Sequence, residues 1–366
     1  MKEAWYFIVG RGCSSPLTRD AFRHPWPLDW RPPWRQTPLS GESCTPSVEN
    51  ATEYVFIQAS GQHFMSLKSD INLLVVLGAT ATGKTRLGVQ LAQRVGGEII
   101  SADSRQVYRG MDLGTGKDLA EYGDIPYHLI DIADPGEEYH VFAFQRDFFE
   151  VFEKIEGRGR MPVMVGGSGL YLDAVLRGYR LIEVPPDPEL RAELATRSLQ
   201  WLRERLLELK PRQHNTTDLT DRDRLVRAIE IAEGERAAAP LPPLPSVTPL
   251  VIGIRWPRPE LRARITRRLQ QRLEEGMVEE VERLHRQGVT WETMEFYGLE
   301  YRFIARYLRG ELSFGEMQAQ LNTAIHKFAK RQETWFRRME RQGIEIHWVD
   351  GFNDPFSQAL SLLEEA

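Results

Sequence analysis

A glycine-rich segment of this chain has the residue types and spacing of a phosphate-binding loop. Residues 78–85 read GATATGKT and satisfy the pattern G-x-x-x-x-G-K-[ST]. In such a loop, backbone N–H groups turn toward a phosphate, the lysine neutralises non-bridging oxygens, and the last hydroxyl can ligate Mg²⁺. We therefore predict a diphosphate or triphosphate site, with Thr85 as the metal ligand, formed by Gly78, Ala79, Thr80, Ala81, Thr82, Gly83, Lys84 and Thr85.

Two acidic residues follow strand candidates farther along the chain and could complete a Mg²⁺ site. Asp103 and Asp131 each end a short apolar run, and a P-loop enzyme that uses a nucleotide needs such a carboxylate at a neighbouring strand end. Asp131 could equally cap a turn. Position alone does not choose between the two, because either can face a crevice at the carboxyl edge of a parallel sheet.

The segment ISADSRQVYRGMDLGTGKD, residues 100–118, follows the second strand candidate, where loops carry function in this architecture. With the P-loop it resembles the tRNA dimethylallyltransferase family, also called tRNA isopentenyltransferases, in which S-x-D-S-R-Q-[VI]-Y comes shortly after the P-loop. The resemblance spans residues 73 to about 350 and is far more specific than a P-loop alone. It continues through YHLIDIADP (127–135), VMVGGSGLYLDAVLRG (163–178), DRLVRAIEI (223–231), RITRRLQQRLEEGMVEEV (264–281) and FAKRQETWFRR (328–338).

The resemblance implies transfer of a dimethylallyl group from dimethylallyl diphosphate to the exocyclic amine of an adenosine beside a tRNA anticodon, with Mg²⁺ as cofactor. The P-loop would then hold a leaving group rather than a phosphoryl donor. An aromatic amine is a poor nucleophile, and the family-matched Asp103 would accept its proton. Ser168 stands where the family usually has threonine and would act beside Asp103; its alternative role is a helix N-cap.

The resemblance also implies a set of residues that contact tRNA. In the segment 254–272 seven arginines face one glutamate, and an apolar stripe that includes Ile265 and Leu269 would dock this helix on the core. Arg264 and Arg268 are candidates for binding either the diphosphate or the tRNA backbone. The predicted tRNA-contacting residues are Asp103, Ser104, Arg105, Gln106, Ser168, Arg191, Arg224 and Arg227.

Composition limits the class of protein. The chain has 366 residues and a net charge of -5, which argues against a uniformly basic nucleic-acid binder but leaves room for local basic patches. Its two cysteines, Cys13 and Cys44, leave the rest of the chain without a cysteine zinc site or a disulfide framework. No apolar run approaches the length of about 18 residues that a membrane span needs. We expect a cytoplasmic monomer without membrane contact.

Short apolar runs alternate with helical patterns from residue 73 onward, which predicts an α/β fold: a P-loop NTPase-like parallel sheet with flanking helices and a helical insertion. We expect residues 1–64 to be disordered or a wrongly included extension upstream of Met65. Residues 65–180 and 249–366 would form the catalytic core, and 181–248 the helical insertion that contacts tRNA. The strand candidates are 73–79, 97–103, 127–134, 160–168, 250–256 and 344–350, and the helix candidates outside the insertion are 84–95, 141–157, 259–287, 314–340 and 355–365.

Two segments depart from the usual family pattern. GTGKD (114–118) replaces G-T-A-K-P, and in TMEFYGLEY (293–301) Glu295 replaces an arginine, so tRNA choice or affinity is expected to differ here. Three other functions remain open at this stage. They are a P-loop small-molecule kinase, an isopentenyltransferase acting on free adenine nucleotides, and an RNA-binding protein with an inactive P-loop.

Overall fold

The computed structural model describes residues 71–211, 219–237 and 241–365, so the predictions for residues 1–64 and Met65 lie outside the described residues. The six strands are β1 (Leu73–Gly78), β2 (Glu98–Ala102), β3 (Tyr127–His128), β4 (Pro162–Gly166), β5 (Pro249–Arg255) and β6 (His347–Asp350). The helices of the first half are α1 (Lys84–Val95), α2 (Val141–Glu156), α3 (Gly169–Leu176), α4 (Pro188–Ala195), α5 (Leu199–Leu209) and α6 (Arg222–Ala237). Those of the second half are α7 (Arg258–Glu274), α8 (Met277–Arg286), α9 (Trp291–Phe296), α10 (Leu299–Leu308), α11 (Phe314–Arg341) and α12 (Pro355–Glu365).

The strands form one parallel sheet in the order β3-β2-β4-β1-β5-β6. Strand β1 lies between β4 and β5, and its Val75 is in register with Met164 and Val251. All six residues of β1 are buried, as a strand covered by helices on both faces requires. Alternate β1 side chains pack with α1 and α12 on one face and with α2, α3 and α11 on the other. The α/β class and the parallel sheet with flanking helices are thus confirmed.

The strand predicted at 127–134 is wrong in extent. Only Tyr127 and His128 pair with β2, because Leu129 and Asp131 have φ angles of 61° and 54°, in the left-handed region that ends a strand. From Asp131 onward the backbone donates instead to the segment that follows β2, from Asp131 N to Gln106 O over 3.1 Å and from Ile132 N to Val107 O over 2.8 Å. The fully buried Lys117 also donates to the Asp131 carboxylate.

Several helices differ from the predicted ones. The candidate 259–287 is two helices, because Gly276 takes a φ of 101° and begins α8. Helices α3, α9 and α10 were not predicted; α10 packs on α9 and α11 in a mainly helical core. As predicted, Ile265 and Leu269 face that core.

The helical insertion predicted at 181–248 contains α4, α5 and α6. Its buried side chains form a small cluster of their own, which consists of Leu194, Leu202, Leu206, Leu225, Ile229 and Ala232. The assignment of 181–248 as a separate domain stays a prediction. Within the described residues no helix combines the length and the apolarity that crossing a bilayer requires.

Candidate active site

A cavity of about 480 Å³ opens at the carboxyl edge of the sheet. Its floor comes from the segments that follow β1, β2 and β4, and the strand order places β4 between the other two. Its walls come from the loop 114–118 and from α7, α11 and the segment 296–302. Because parallel strands all end at this edge, residues far apart in the sequence meet in one space.

The P-loop reverses the chain between β1 and α1. Gly83 has a φ of 89° and Ala81 a φ of 63°, so the loop takes a left-handed turn at a non-glycine residue as well. The Thr82 hydroxyl donates to the Ala79 carbonyl over 2.9 Å, and this hydrogen bond stabilises the turn. Of the predicted phosphate-binding residues, Gly78, Ala79 and Thr82 support the loop, whereas those that line the cavity are Thr80, Ala81, Gly83, Lys84 and Thr85.

Two side chains from distant elements hold the P-loop, and the sequence reasoning missed both. The Trp256 indole, just after β5, donates to the Thr82 carbonyl over 3.0 Å. The buried Gln332 side chain on α11 accepts from Thr80 N over 2.8 Å and donates to Gly167 O over 2.9 Å. Gln332 therefore ties the P-loop to the end of β4, which carries the next part of the site.

Lys84 and Thr85 begin α1 and face the cavity. Desolvation by burial, only partly opposed by the Asp103 charge, lowers the pKa of the Lys84 ammonium from its ordinary value to about 8. The Thr85 hydroxyl makes no hydrogen bond within the described part of the chain, so it is open to a ligand. The described residues contain no cluster of three or more histidine, cysteine or acidic groups that could hold a metal ion. Thr85 can thus supply one oxygen to Mg²⁺, and phosphate oxygens and waters would supply the rest.

Asp103 and Ser168 lie in the cavity beside the P-loop. One oxygen of Asp103, Oδ1, accepts from Arg105 N over 2.9 Å, while Oδ2 has no hydrogen-bond partner among the residues described and stays open to a substrate. The Ser168 hydroxyl accepts from Ser104 N over 3.0 Å. Ser168 does occupy the N-cap position of α3, but its side chain makes no capping bond, so the alternative role as a cap does not describe its contacts.

The other residues of the Asp-Ser-Arg-Gln run divide between the cavity and its support. Ser104 and Arg105 line the cavity, and the Arg105 guanidinium lies 5.7 Å from the centre of the Phe296 ring. Gln106 also lines it, but its buried amide accepts from Ser101 Oγ over 3.0 Å and donates to Gly116 O over 3.1 Å. Gln106 therefore mainly stabilises the loop that contains Gly116.

Four arginines of α7 line one wall of the cavity: Arg264, Arg267, Arg268 and Arg272. The Arg264 guanidinium donates to the Ala81 carbonyl over 2.8 Å and stacks 4.1 Å from the Trp256 ring centre. Arg268 and Arg272 both donate to the carboxylate of Asp118. Burial, together with the Arg268 charge, lowers the pKa of Arg272 from its ordinary value. Arg272 was not singled out from the sequence, although it follows Arg268 by the same four residues that separate Arg268 from Arg264.

Asp131, the other acid considered for a metal site, does not line the cavity. Its carboxylate accepts from Lys117, which also donates to Asp112 over 2.8 Å and to the Tyr108 carbonyl over 2.7 Å. Asp131 therefore compensates a buried cation, and of these two acids only Asp103 lines the cavity with the P-loop.

The three arginines predicted in the insertion are not brought to the cavity. Arg191 binds the buried Glu230 carboxylate through two hydrogen bonds of 2.6 and 2.8 Å, and Arg227 adds a third of 3.1 Å. Arg224 is 8% exposed. These contacts stabilise α4 against α6; a tRNA contact of any of the three stays a prediction.

Glu295, which replaces an arginine of the family pattern, lies beside the cavity and does not line it. Its carboxylate pairs with Arg309 over 3.1 Å, and its carbonyl accepts from Arg302 over 3.0 Å. Arg302 itself lines the cavity with Phe296 and Tyr297. Glu295 thus positions a cavity arginine through its backbone.

Comparison with known proteins identifies relatives of the chain. The family model for IPP transferases matches residues 106–339, and a model for isopentenyl transferases matches residues 71–122. A tRNA dimethylallyltransferase 1 from Geotalea uraniireducens is 64% identical over 292 residues, which cover 80% of this chain and 97% of the relative. A tRNA dimethylallyltransferase 2 from Citrifermentans bemidjiense is 64% identical over 292 residues, covering 80% and 95%.

Solved structures show the same fold. The full-length tRNA isopentenylpyrophosphate transferase from Bacillus halodurans is 33% identical with a TM-score of 0.59, and the match covers 80% of this chain and 97% of that one. A eukaryotic dimethylallyltransferase that acts on tRNA is 23% identical with a TM-score of 0.66, covering 80% and 78%, and is similar in fold. The chain therefore belongs to the IPP transferase family and, like these tRNA dimethylallyltransferases, is a prenyltransferase.

Proposed function

We propose that this enzyme transfers a dimethylallyl group from dimethylallyl diphosphate to the exocyclic amine of an adenosine adjacent to the anticodon in tRNA, giving isopentenyladenosine and diphosphate. One observation carries the proposal. A single cavity joins a P-loop to an acid, Asp103, that has an open carboxylate oxygen. An anion can be held at one end of that space while a proton is accepted at the other.

The diphosphate end is built from the P-loop and α7. Backbone N–H groups of the P-loop, the Lys84 ammonium and the guanidiniums of Arg264 and Arg268 surround the space in which negative charge develops as the C–O bond breaks. Donors fixed in advance stabilise such a charge without reorganisation. Mg²⁺, held by the Thr85 hydroxyl, would offset part of the diphosphate charge when bound.

The acceptor end is built from Asp103 and Ser168. The amine of adenine loses a proton as the new C–N bond forms, and Oδ2 of Asp103 receives it. Arg105 N holds Oδ1, so the carboxylate is fixed in orientation. The adenine must leave its stack to reach this depth. Ser104, Arg105 and Gln106 lie where they would contact the target nucleotide, and Arg191, Arg224 and Arg227 remain proposed tRNA contacts on the insertion.

The test is incubation of the purified protein with dimethylallyl diphosphate, Mg²⁺ and total tRNA, followed by mass spectrometry of the nucleosides. We expect isopentenyladenosine. Parallel reactions offer AMP, ADP and ATP as prenyl acceptors, and labelled ATP with candidate metabolites as phosphoryl acceptors. Unmodified tRNA together with a phosphorylated metabolite or a prenylated free nucleotide would refute the proposal. We also propose that the enzyme is a monomer and that it acts on tRNA in the cytoplasm.

A further inference from the structure

The carboxylate of Asp118 lies in the wall of the cavity and binds two of its cations. It accepts from Arg268 and, over 3.0 Å, from Arg272. The Asp118 side chain is 38% exposed, whereas that of Arg272 is 10% exposed. A buried guanidinium without an anion is costly, so the Asp118 carboxylate stabilises the charge of Arg272.

The neighbouring Gly116 makes this contact possible. Its φ is 72°, and a Cβ at this position would lie 2.6 Å from the Arg272 guanidinium and 2.9 Å from that of Arg268. Only glycine lets both cations approach the loop so closely. The family pattern has alanine and proline at positions 116 and 118, which would supply neither this space nor the carboxylate. The close approach of Arg272 to this loop is thus a feature of the segment GTGKD, which departs from the family pattern.

We propose that Asp118 is a resident counter-ion that competes with the diphosphate for Arg268 and Arg272, and so weakens retention of the diphosphate product. The inference rests on the proposed function in taking the anion of the cavity to be a diphosphate. Asp118 shares the cavity with Lys84 and Thr85, and its negative charge repels any anion held there. Each guanidinium N–H that Asp118 occupies is also lost to the diphosphate. Asp118 therefore fixes both guanidiniums in position and opposes tight binding of the product.

The experiment measures binding of inorganic pyrophosphate with Mg²⁺ by calorimetry to the wild type, Asp118→Asn and Glu275→Gln. Glu275 is a matched control because it lines the same cavity from the end of α7 but pairs with Gln271 over 2.7 Å and, among the described residues, forms no ion pair with an arginine of the cavity. Removing a unit charge about 10 Å from the anion at an effective dielectric of about 20 strengthens binding about tenfold. We expect a Kd about tenfold lower for Asp118→Asn and changed by less than about twofold for Glu275→Gln.

A second readout separates competition from a merely structural role. Asp118→Asn should unfold at a lower temperature than the wild type without ligand, yet gain more in Tm from pyrophosphate. Asp118→Ser, which keeps an oxygen acceptor for Arg272, should show the same two changes: a lower Tm without ligand and a larger gain in Tm from pyrophosphate. A structural role alone predicts weaker binding in both variants. Weaker or unchanged binding, or equal tightening in Glu275→Gln, overturns the inference while the proposed function stands; failure of every protein to bind pyrophosphate overturns both.

Discussion

Replacing Asp103 by asparagine tests the central step of the proposed reaction. The substitution keeps the size of the side chain and an oxygen that accepts from Arg105 N, but it removes the group that takes the proton of the amine. General-base assistance contributes about 10²-fold or more, which corresponds to about 2.7 kcal/mol or more of transition-state stabilisation. We expect the transfer rate to fall by that factor.

Binding of the leaving group should survive the same substitution. Asp103 makes no hydrogen bond to the P-loop among the residues described, so pyrophosphate should still bind Asp103→Asn. Because Asp103 lines the same cavity, loss of its negative charge should tighten that binding, as in Asp118→Asn, rather than weaken it. The assay is single-turnover transfer with enzyme in excess over tRNA and saturating dimethylallyl diphosphate, combined with calorimetry. This design separates chemistry from product release.

Asp131→Asn is the matched control. Its carboxylate also follows a strand but compensates Lys117 outside the cavity, so transfer per folded enzyme should stay near the wild-type value although stability falls. A transfer rate for Asp103→Asn within about threefold of the wild type would exclude the general-base role. A pyrophosphate Kd that rises in proportion to the loss of rate would show that Asp103 acts in binding instead.

Three further predictions concern the support of the site. Gln332→Met should lose about 2 kcal/mol in urea unfolding and weaken pyrophosphate binding, because Thr80 N and Gly167 O both lose their partner; Gln332→Glu, which can still accept from Thr80 N, should lose less. Since the pKa of Lys84 is lowered to about 8 and a bound diphosphate favours the charged ammonium, pyrophosphate affinity should fall as pH rises through about 8, more steeply in the wild type than in Lys84→Met, as calorimetry across pH would show. Burial acts to raise the pKa of Glu230, but the hydrogen bonds from Arg191, Asp187 N and Arg227 lower it below its ordinary value. The stability from Glu230 is therefore present near neutral pH and lost as pH falls below about 4.5; Glu230→Gln should cost about 2 kcal/mol at pH 7 and flatten the acid limb of urea unfolding.

The sequence predicted those parts of the fold that local pattern determines. Strand β1 and helix α1 follow from a continuous apolar run and a P-loop, and their bounds are within a residue of the prediction. Strand β3 was predicted too long because residues from Asp131 onward bond to the backbone of residues 106–107, which follow β2. No local pattern reports such a contact. The break at Gly276 could have been anticipated, since glycine is the usual residue where a helix must restart.

The same distinction applies to the site. The P-loop, Asp103 and Ser168 meet because parallel strands end at one edge, which the alternating pattern already implies. Gln332 and Trp256 could not be identified in this way, because they reach the P-loop from elements whose position depends on tertiary packing. Arg191, for which the family resemblance implied a tRNA contact, binds a buried glutamate within the insertion.

Helix α7 shows how one regular element prepares a cationic wall before any ligand is present. Arg264, Arg268 and Arg272 are spaced by four residues and so share one face of the helix. Left alone, three neighbouring guanidiniums would repel one another and lose side-chain entropy on binding an anion. Each is instead fixed by a partner within the protein, Arg264 by the Ala81 carbonyl and the Trp256 ring, the other two by the Asp118 carboxylate. The side-chain entropy of these arginines is therefore lost during folding rather than on binding, and a diphosphate contacts donors that are already in position.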